Sequence, residues 1–305
     1  MANFTPTTDA NAIPTVIAQE VIRQFPGYMN LARFVSTDVD WTGTDFATYG
    51  DTLEVVKPGS LTVKTKTPGT EMDSQAPTAD KIDVSLDQHK YIDVLDEDIT
   101  KLLRKPNLQE AYAMNMAIRL AENVEEYLLG LHAGISETVS WDNTSATTIE
   151  TSFLAIRSWF ARKKVPLQME KGFFADTSIV DKLLTIDKYT SDDYTQKGAI
   201  AEGAIRKTYG IKTFESQLIQ TSGSPVARHN VACTKYGFVL VNRPMPLDGN
   251  GKGAMQSIMI DPHTGLSFRL TESYSHGNLG TRFSIDLLYG GSIADTNHVL
   301  EVEST

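Results

Sequence analysis

The sequence predicts an α+β fold in which β ribbons hang on one long helix, and three stretches carry that prediction. Residues 49–98 read as a long polar β-hairpin, 107–132 as a helix with one apolar stripe, and 256–305 as ribbon again. So much ribbon with so few apolar side chains cannot bury a core of its own. It needs a neighbouring surface to lie on, which suits a protein that assembles better than one that encloses a pocket.

Residues 1–13 are small and polar, an arm. From Pro14 to Phe25 the chain reads as a short amphipathic helix, with Pro in its first turn and Val16, Ile17, Val21 and Phe25 near one face. Pro26-Gly27 stops it, and Phe34, Val35, Trp41 and Phe46 anchor the mixed stretch that follows. In the hairpin, Pro58 presets a turn and Gly59 accepts the positive φ that a type II turn needs next. The chain is therefore expected to reverse there, with Leu61, Val63 and Thr65 on the drier face of the returning strand. Thr67-Pro68-Gly69-Thr70 reads as loop, after which Ile82, Val84 and Leu86 alternate again. Tyr91 begins a strand that turns helical, with Asp96, Glu97 and Asp98 placed to favour a helix N-terminus.

Lys105-Pro106 breaks the chain, and Asn107 with Glu110 makes a capping box. The helix that follows runs to about His132, some 25 residues and on the order of 38 Å at the standard rise. Met116, Leu120, Val124, Tyr127, Leu128 and Leu131 form its apolar stripe, while Arg119, Glu122, Glu125 and Glu126 lie mostly away from it. An irregular polar stretch opens at Ala133-Gly134. A second amphipathic helix over 152–164 carries Phe153, Ile156, Trp159 and Phe160 at helical spacing. Next come a short buried strand, Lys171–Ala175, and a helix, Thr177–Leu184, capped by Asp176. Further strands end at Ser216, span Val231 onward and start again at Gly237, so this part reads as a compact α/β lobe. After a glycine-rich loop at Asp248, Leu266, Phe268 and Leu270 alternate with Ser267, Arg269 and Thr271. Phe283, Ile285, Leu287 and Tyr289 alternate with Ser284, Asp286 and Leu288, and Gly277-Asn278 turns between the two runs.

At 305 residues, 41% hydrophobic and 22% charged, the chain can bury a substantial core. No apolar run approaches a membrane span, and the N-terminus lacks the basic start and apolar stretch of a signal peptide. One cysteine, Cys233, excludes an intrachain disulfide and fits a reducing cytoplasm. A net charge of −10 argues against tight, counterion-driven nucleic-acid binding, though not against a surface that faces packed DNA without gripping it.

Catalytic and ligand-binding patterns are weak. Six histidines show no metal-ligand spacing. Gly249-Asn-Gly-Lys252-Gly lacks phosphate-loop spacing, and no serine sits in a nucleophile elbow. Asp192-Asp193 reads as a solvated loop pair, and Cys233 as a buried, inert thiol. No catalytic, metal or cofactor-binding residue is predicted, and the chain is not expected to be an enzyme.

The order of these elements resembles the major capsid proteins of tailed bacteriophages with the HK97-like fold, in particular a short form of the P22-type coat proteins. The resemblance rests on Gly50-Asp-Thr-Leu-Glu-Val-Val-Lys-Pro-Gly, the return strand 82–95, the helix 107–132, Phe173-Phe-Ala-Asp-Thr, Gly198-Ala-Ile-Ala-Glu-Gly-Ala-Ile-Arg-Lys-Thr-Tyr-Gly-Ile, and 265–291. It implies an N-terminal arm over 1–48 and an extended β-hairpin loop (E-loop) over 49–98. It further implies a peripheral domain with a long spine helix over 99–150, an axial domain over 151–255, and a return β-ribbon of the peripheral domain over 256–305. On this resemblance the chain is a virion protein made in the host cytoplasm. It self-assembles into hexamers and pentamers that form an icosahedral head around packaged double-stranded DNA, without sequence-specific contact and without a membrane. Its other implied partners are a portal protein, a scaffolding protein and, where one is used, a decoration protein. The chain has no room for the inserted domain of longer relatives and no long built-in scaffolding segment, so the scaffold is expected to be separate. Inter-subunit contact is expected at the hairpin tip, through Lys57, Pro58, Gly59, Lys64 and Lys66. Lys64 and Lys66 lie in the loop where some relatives form a lysine–asparagine crosslink, but no acceptor pattern supports one here. Two alternatives stand beside this reading: an encapsulin-type nanocompartment shell, and an oligomeric α/β enzyme, which would need a convergent polar site.

Overall fold

The computed structural model describes residues 29–37, 52–59, 61–76, 79–99, 109–186, 189, 207–248, 253–261 and 264–304. The expected helix at 14–25, the anchors Trp41 and Phe46, the Asn107 cap, Asp192-Asp193 and the glycine-rich loop at 249–252 lie outside them. The described elements begin with a one-turn helix α1 (Leu31–Phe34) and strands β1 (Ser36–Thr37), β2 (Thr52–Pro58), β3 (Ala79–Ser85) and β4 (Gln88–Glu97). Helix α2 (Gln109–Gly130) leads through a 3-10 turn (Leu131–Gly134) to β5 (Thr138–Trp141), α3 (Ala146–Arg162), β6 (Lys171–Ala175) and α4 (Thr177–Leu184). Strands β7 (Ile211–Glu215), β8 (Thr221–Ser222), β9 (Ala227–Thr234), β10 (Phe238–Asn242), β11 (Ala254–Ile260), β12 (Ser267–Ser275), β13 (Gly280–Ile293) and β14 (Val299–Ser304) complete the chain. Among the described residues no helix is long and apolar enough to cross a membrane.

The first sheet runs β1-β10-β13-β12-β11, with β4 also paired to β13. Its apolar face is the alternation read from sequence: Phe268, Leu270, Phe283, Ile285, Leu287 and Tyr289 are buried. Helix α2 lies in the same core, contributing Met116, Leu120, Val124 and Leu128, with Tyr127 and Leu131 partly covered. Each such aliphatic side chain contributes about 1.5–3 kcal/mol of burial. The opposite face is charged. Arg269 donates from Nε and Nη2 to Asp286 at 3.0 and 2.7 Å, His89 meets the same carboxylate, and Arg282 pairs with Asp93.

The second sheet runs β5-β14-β9-β6-β7. It packs with α3 and α4 around Trp141, Phe153, Trp159, Phe160 and Phe173, the compact α/β lobe expected from sequence. Asp176 caps α4 as expected, accepting from the Ser178 amide at 3.0 Å. Helix α3 starts earlier than its aromatic spacing suggested. Ser145 is its cap and Thr148 closes a capping box, a role more familiar from Glu or Gln. Buried Asn230 accepts from the Asp176 amide and donates to Val302 O, tying α4 to the last strand. Cys233 is fully buried, which pushes its thiol pKa up and keeps it protonated. Sheet membership cuts across chain order: β10 follows β9 but joins the first sheet, and β14 follows β13 but joins the second.

The expected reversal at Pro58-Gly59 is not there. Strand β2 pairs with β3 from Thr52 opposite Ser85 to Pro58 opposite Ala79, so Pro58 ends the ladder. The tight turn lies at Pro68-Gly69, where Gly69 has φ +86° and the Thr70 amide donates to Thr67 O. Both dipeptides satisfy the same turn chemistry, and it is pairing with residues twenty and more positions downstream that decides between them. The acidic run is corrected in part: Asp96 and Glu97 lie within β4, opposite Thr281 and Gly280, and Asp98 accepts from the Tyr274 hydroxyl.

Glu125 is also misplaced by the sequence reading. It is buried, and its carboxylate accepts from the amides of Leu31 and Ala32 at 2.7 and 3.1 Å, fastening α1 to the C-terminal half of α2. Burial pushes its pKa up to about 7, against the opposing pull of those amides. Because the folded pKa exceeds the unfolded one, this group's contribution is fully present below the unfolded pKa of 4.5 and is lost as pH rises through about 7. Urea unfolding should therefore show stability falling by about 3 kcal/mol across that window. Glu125→Gln should flatten the dependence; an unchanged pH profile in that variant would refute the assignment.

Gly290 and Gly291 mark where β13 passes between the hairpin base and α2. A Cβ on Gly290 would stand 2.0 Å from Ser85 O, and one on Gly291 would meet Leu128 and Tyr127 at 3.2 and 3.3 Å. Gly290→Ala should cost about 3 kcal/mol, whereas Gly69→Ala, with nothing within 4 Å of its Cβ, should lose only the strain of its positive φ, about 1 kcal/mol. Chemical denaturation of the two variants checks the contrast.

Candidate assembly surface

The hairpin is rooted on the first sheet. Val84 is fully buried against Val239, Val241 and Ala294, with Ile82 and Leu86 beside it, the alternation read from sequence. Beyond this root β2 and β3 form a separate two-stranded ribbon, and Lys81 bonds Glu54 across it at 2.6 Å. That contact raises the Lys81 pKa.

Residues 61–76 extend past the ribbon as an irregular, wholly exposed loop. Its order comes from local contacts. Lys64 pairs with Asp73, the Thr62 amide donates to Gln75 Oε1 at 3.0 Å, and Thr70 Oγ1 donates to Thr67 O at 2.8 Å. The expected drier strand face does not form: Leu61 and Val63 are 69% and 97% exposed, and Met72 is 78% exposed. Large apolar side chains so far out of their own chain's cover make this loop the candidate contact surface.

The residues singled out from sequence fall along this projection without converging. Lys57 and Pro58 are the last pairs of β2, opposite Asp80 and Ala79. Gly59 follows half-buried. Lys64 is held by Asp73, and Lys66 is exposed just before the turn. Leu61, Val63 and Met72, rather than these lysines, are the apolar features of the loop. The alternation of Leu61 and Val63 carries a signal, but it is that of a strand, and here the two side chains stand on an exposed loop. Met72 carried no signal, since a single methionine among polar residues has no periodicity.

Three further polar side chains meet away from the hairpin, His132, His229 and Glu301, brought together by the fold from distant parts of the chain. Linear spacing could not have found them.

No protein-family model and no curated protein matches the sequence. Solved structures do match in shape. The chain superposes on a structure from Mycobacterium phage Che8 with a TM-score of 0.66, at 16% identity, over 90% of each chain. It superposes on the capsid structure of cyanophage P-SCSP1u with a TM-score of 0.64, at 12% identity, over 89% of this chain and 86% of that one. The chain has the HK97-like fold of phage capsid proteins. A virus-like particle from Pyrococcus furiosus shares it with a TM-score of 0.54, at 7% identity, over 94% of this chain and 98% of that one. The shared fold thus accounts for the mixed α+β architecture over about nine tenths of the chain.

Proposed function

We propose that this chain is the major capsid (coat) protein of a tailed bacteriophage, of the short P22-type form. Hexamers and pentamers of it would close an icosahedral head around packaged double-stranded DNA. The observation that carries the reading is the correspondence of fold with the cyanophage capsid over nearly nine tenths of both chains. The segments expected from sequence then take their roles: 1–48 the arm, 49–98 the extended loop, 99–150 and 256–305 the peripheral domain, and 151–255 the axial domain that gathers at capsomer centres. The loop at 61–76 lies over the next subunit, covering Leu61, Val63 and Met72, with the flanking Lys57, Pro58, Gly59, Lys64 and Lys66 lining the contact. Each contact is small, and closure of many makes the shell hold. The partners on this reading are other copies of the chain, a portal protein, a separate scaffolding protein and any decoration protein. A net charge of −10 suits a wall that faces DNA without gripping it.

The likeness to a virus-like particle favours a second reading, a nanocompartment shell that encloses cargo protein. Negative-stain electron microscopy of the chain expressed alone and with its scaffolding partner separates the readings. Uniform icosahedral shells that need the partner support the capsid, shells that form unaided around a protein cargo support the compartment, and small discrete oligomers in both samples reject both.

The contact itself is tested by the double variant Leu61→Asp, Val63→Asp. Because both side chains are exposed, the variant should keep the wild-type Tm within about 1 °C, in line with other surface changes, while losing shells. Intact shells from it would refute the proposed overlap.

A further inference from the structure

We propose that His132, His229 and Glu301 form a divalent transition-metal site, of the zinc class, that staples the end of helix α2 to the second sheet. One donor atom from each of the three residues lies within 4.8 Å of the others, and all three are half-buried, within reach of an ion from solvent. His132 sits in the 3-10 turn that ends α2, His229 on β9 and Glu301 on β14, so a shared ion would bridge three elements.

The outer contacts are those a metal site needs. His132 Nδ1 lies 3.0 Å from Leu129 O, which fixes the ring as an Nδ1–H donor and leaves the lone pair of Nε2 unused. Ligating histidines are oriented by this kind of backbone contact. Glu301 Oε2 accepts from Thr138 Oγ1 at 2.8 Å, leaving Oε1 turned toward His229 Nδ1 at 2.6 Å. On the far side of that ring, Nε2 lies 2.6 Å from Ser222 Oγ. The two imidazoles stack with centroids 4.4 Å apart and planes 16° from parallel, so one ring has to turn out of the stack before both in-plane lone pairs meet a single ion.

Converting the hydrogen-bonded cluster to a bound one takes that ring turn and a closing of donors that now lie within 4.8 Å of one another. Zinc at about 2.0–2.2 Å from each donor sets tetrahedral donor–donor separations of about 3.3 Å. The His229–Glu301 contact would therefore open by less than 1 Å. The ring proton of His229 passes from Nδ1 to Nε2, and Ser222 changes from donor to acceptor, so no charge is stranded. Two imidazoles and one carboxylate select zinc or a similar ion over magnesium or calcium, and a water completes the fourth position. This inference does not rest on the shell reading.

The test uses the purified full chain, stripped with EDTA and dialysed against zinc. One zinc per subunit is expected, with Tm raised by about 5 °C at zinc a hundredfold above its Kd. His132→Ala and Glu301→Gln should each weaken binding by about 100-fold, and both should abolish the tetrahedral absorption spectrum of Co(II) expected of the wild type. Ser222→Ala keeps all three ligands and should weaken binding by about tenfold with an unchanged circular dichroism spectrum. A wild-type chain that binds no zinc overturns the proposal. So does a folded His132→Ala that binds zinc as tightly as the wild type.

Discussion

Strand β13 uses both of its edges, and the rest of the structure is arranged around that. Over Gly280–Leu287 it pairs with β12 on one side and β4 on the other, and past Tyr289 its ladder continues with β10. Over that stretch it has no free edge to offer, and the register of three other strands is set by its 14 residues. Its alternating side chains give one face to helix α2 and the other to the Arg269–Asp286 and Arg282–Asp93 pairs. Gly290 and Gly291 then let the hairpin base and the helix approach its backbone from opposite sides. The projection of β2 and β3 is aimed by that close approach.

Much of this was legible in the sequence because it depends on local period. The alternation of Phe268 and Leu270, and of Phe283 through Tyr289, needs no knowledge of partners, nor does the stripe from Met116 to Leu128. The Asp176 cap is equally local. What escaped depends on residues far apart. Pro58-Gly59 and Pro68-Gly69 are the same turn signal, and only the pairing of Pro58 with Ala79 decides between them. Glu125 looked like a solvated helix position, because its ligands, the amides of Leu31 and Ala32, lie 94 and 93 residues away. Helix α3 lost its first turns to a threonine-rich start, and β5 was hidden in what read as irregular polar chain. His132 and His229 carry no pattern in one dimension.

The two cores differ in what holds them. The lobe around α3 and α4 is aromatic, with Trp141 against Phe153 and Phe173 at 4.9 and 5.2 Å between centroids. Such rings add geometric preference to burial. The helix–sheet core is mainly aliphatic and is fixed by polar anchors at its margins: Glu125 on α1, Tyr289 Oη donating to Asn123 at 2.9 Å, and Tyr127 at Gly291. Aliphatic packing tolerates small slides that a ring cluster resists. The anchors therefore decide how α2 is seated.

The placement of β14 also constrains how the molecule comes into being. This strand lies between β5, with which it is parallel, and β9, with which it is antiparallel, so it fills the middle of the second sheet rather than its rim. Asn230 on β9 reaches Val302 O within it. While residues 299–304 are still in the ribosome, that sheet is two pieces with open edges facing an empty slot. Its last hydrogen bonds close only after those residues emerge, so the aromatic lobe stays incomplete until β14 joins it.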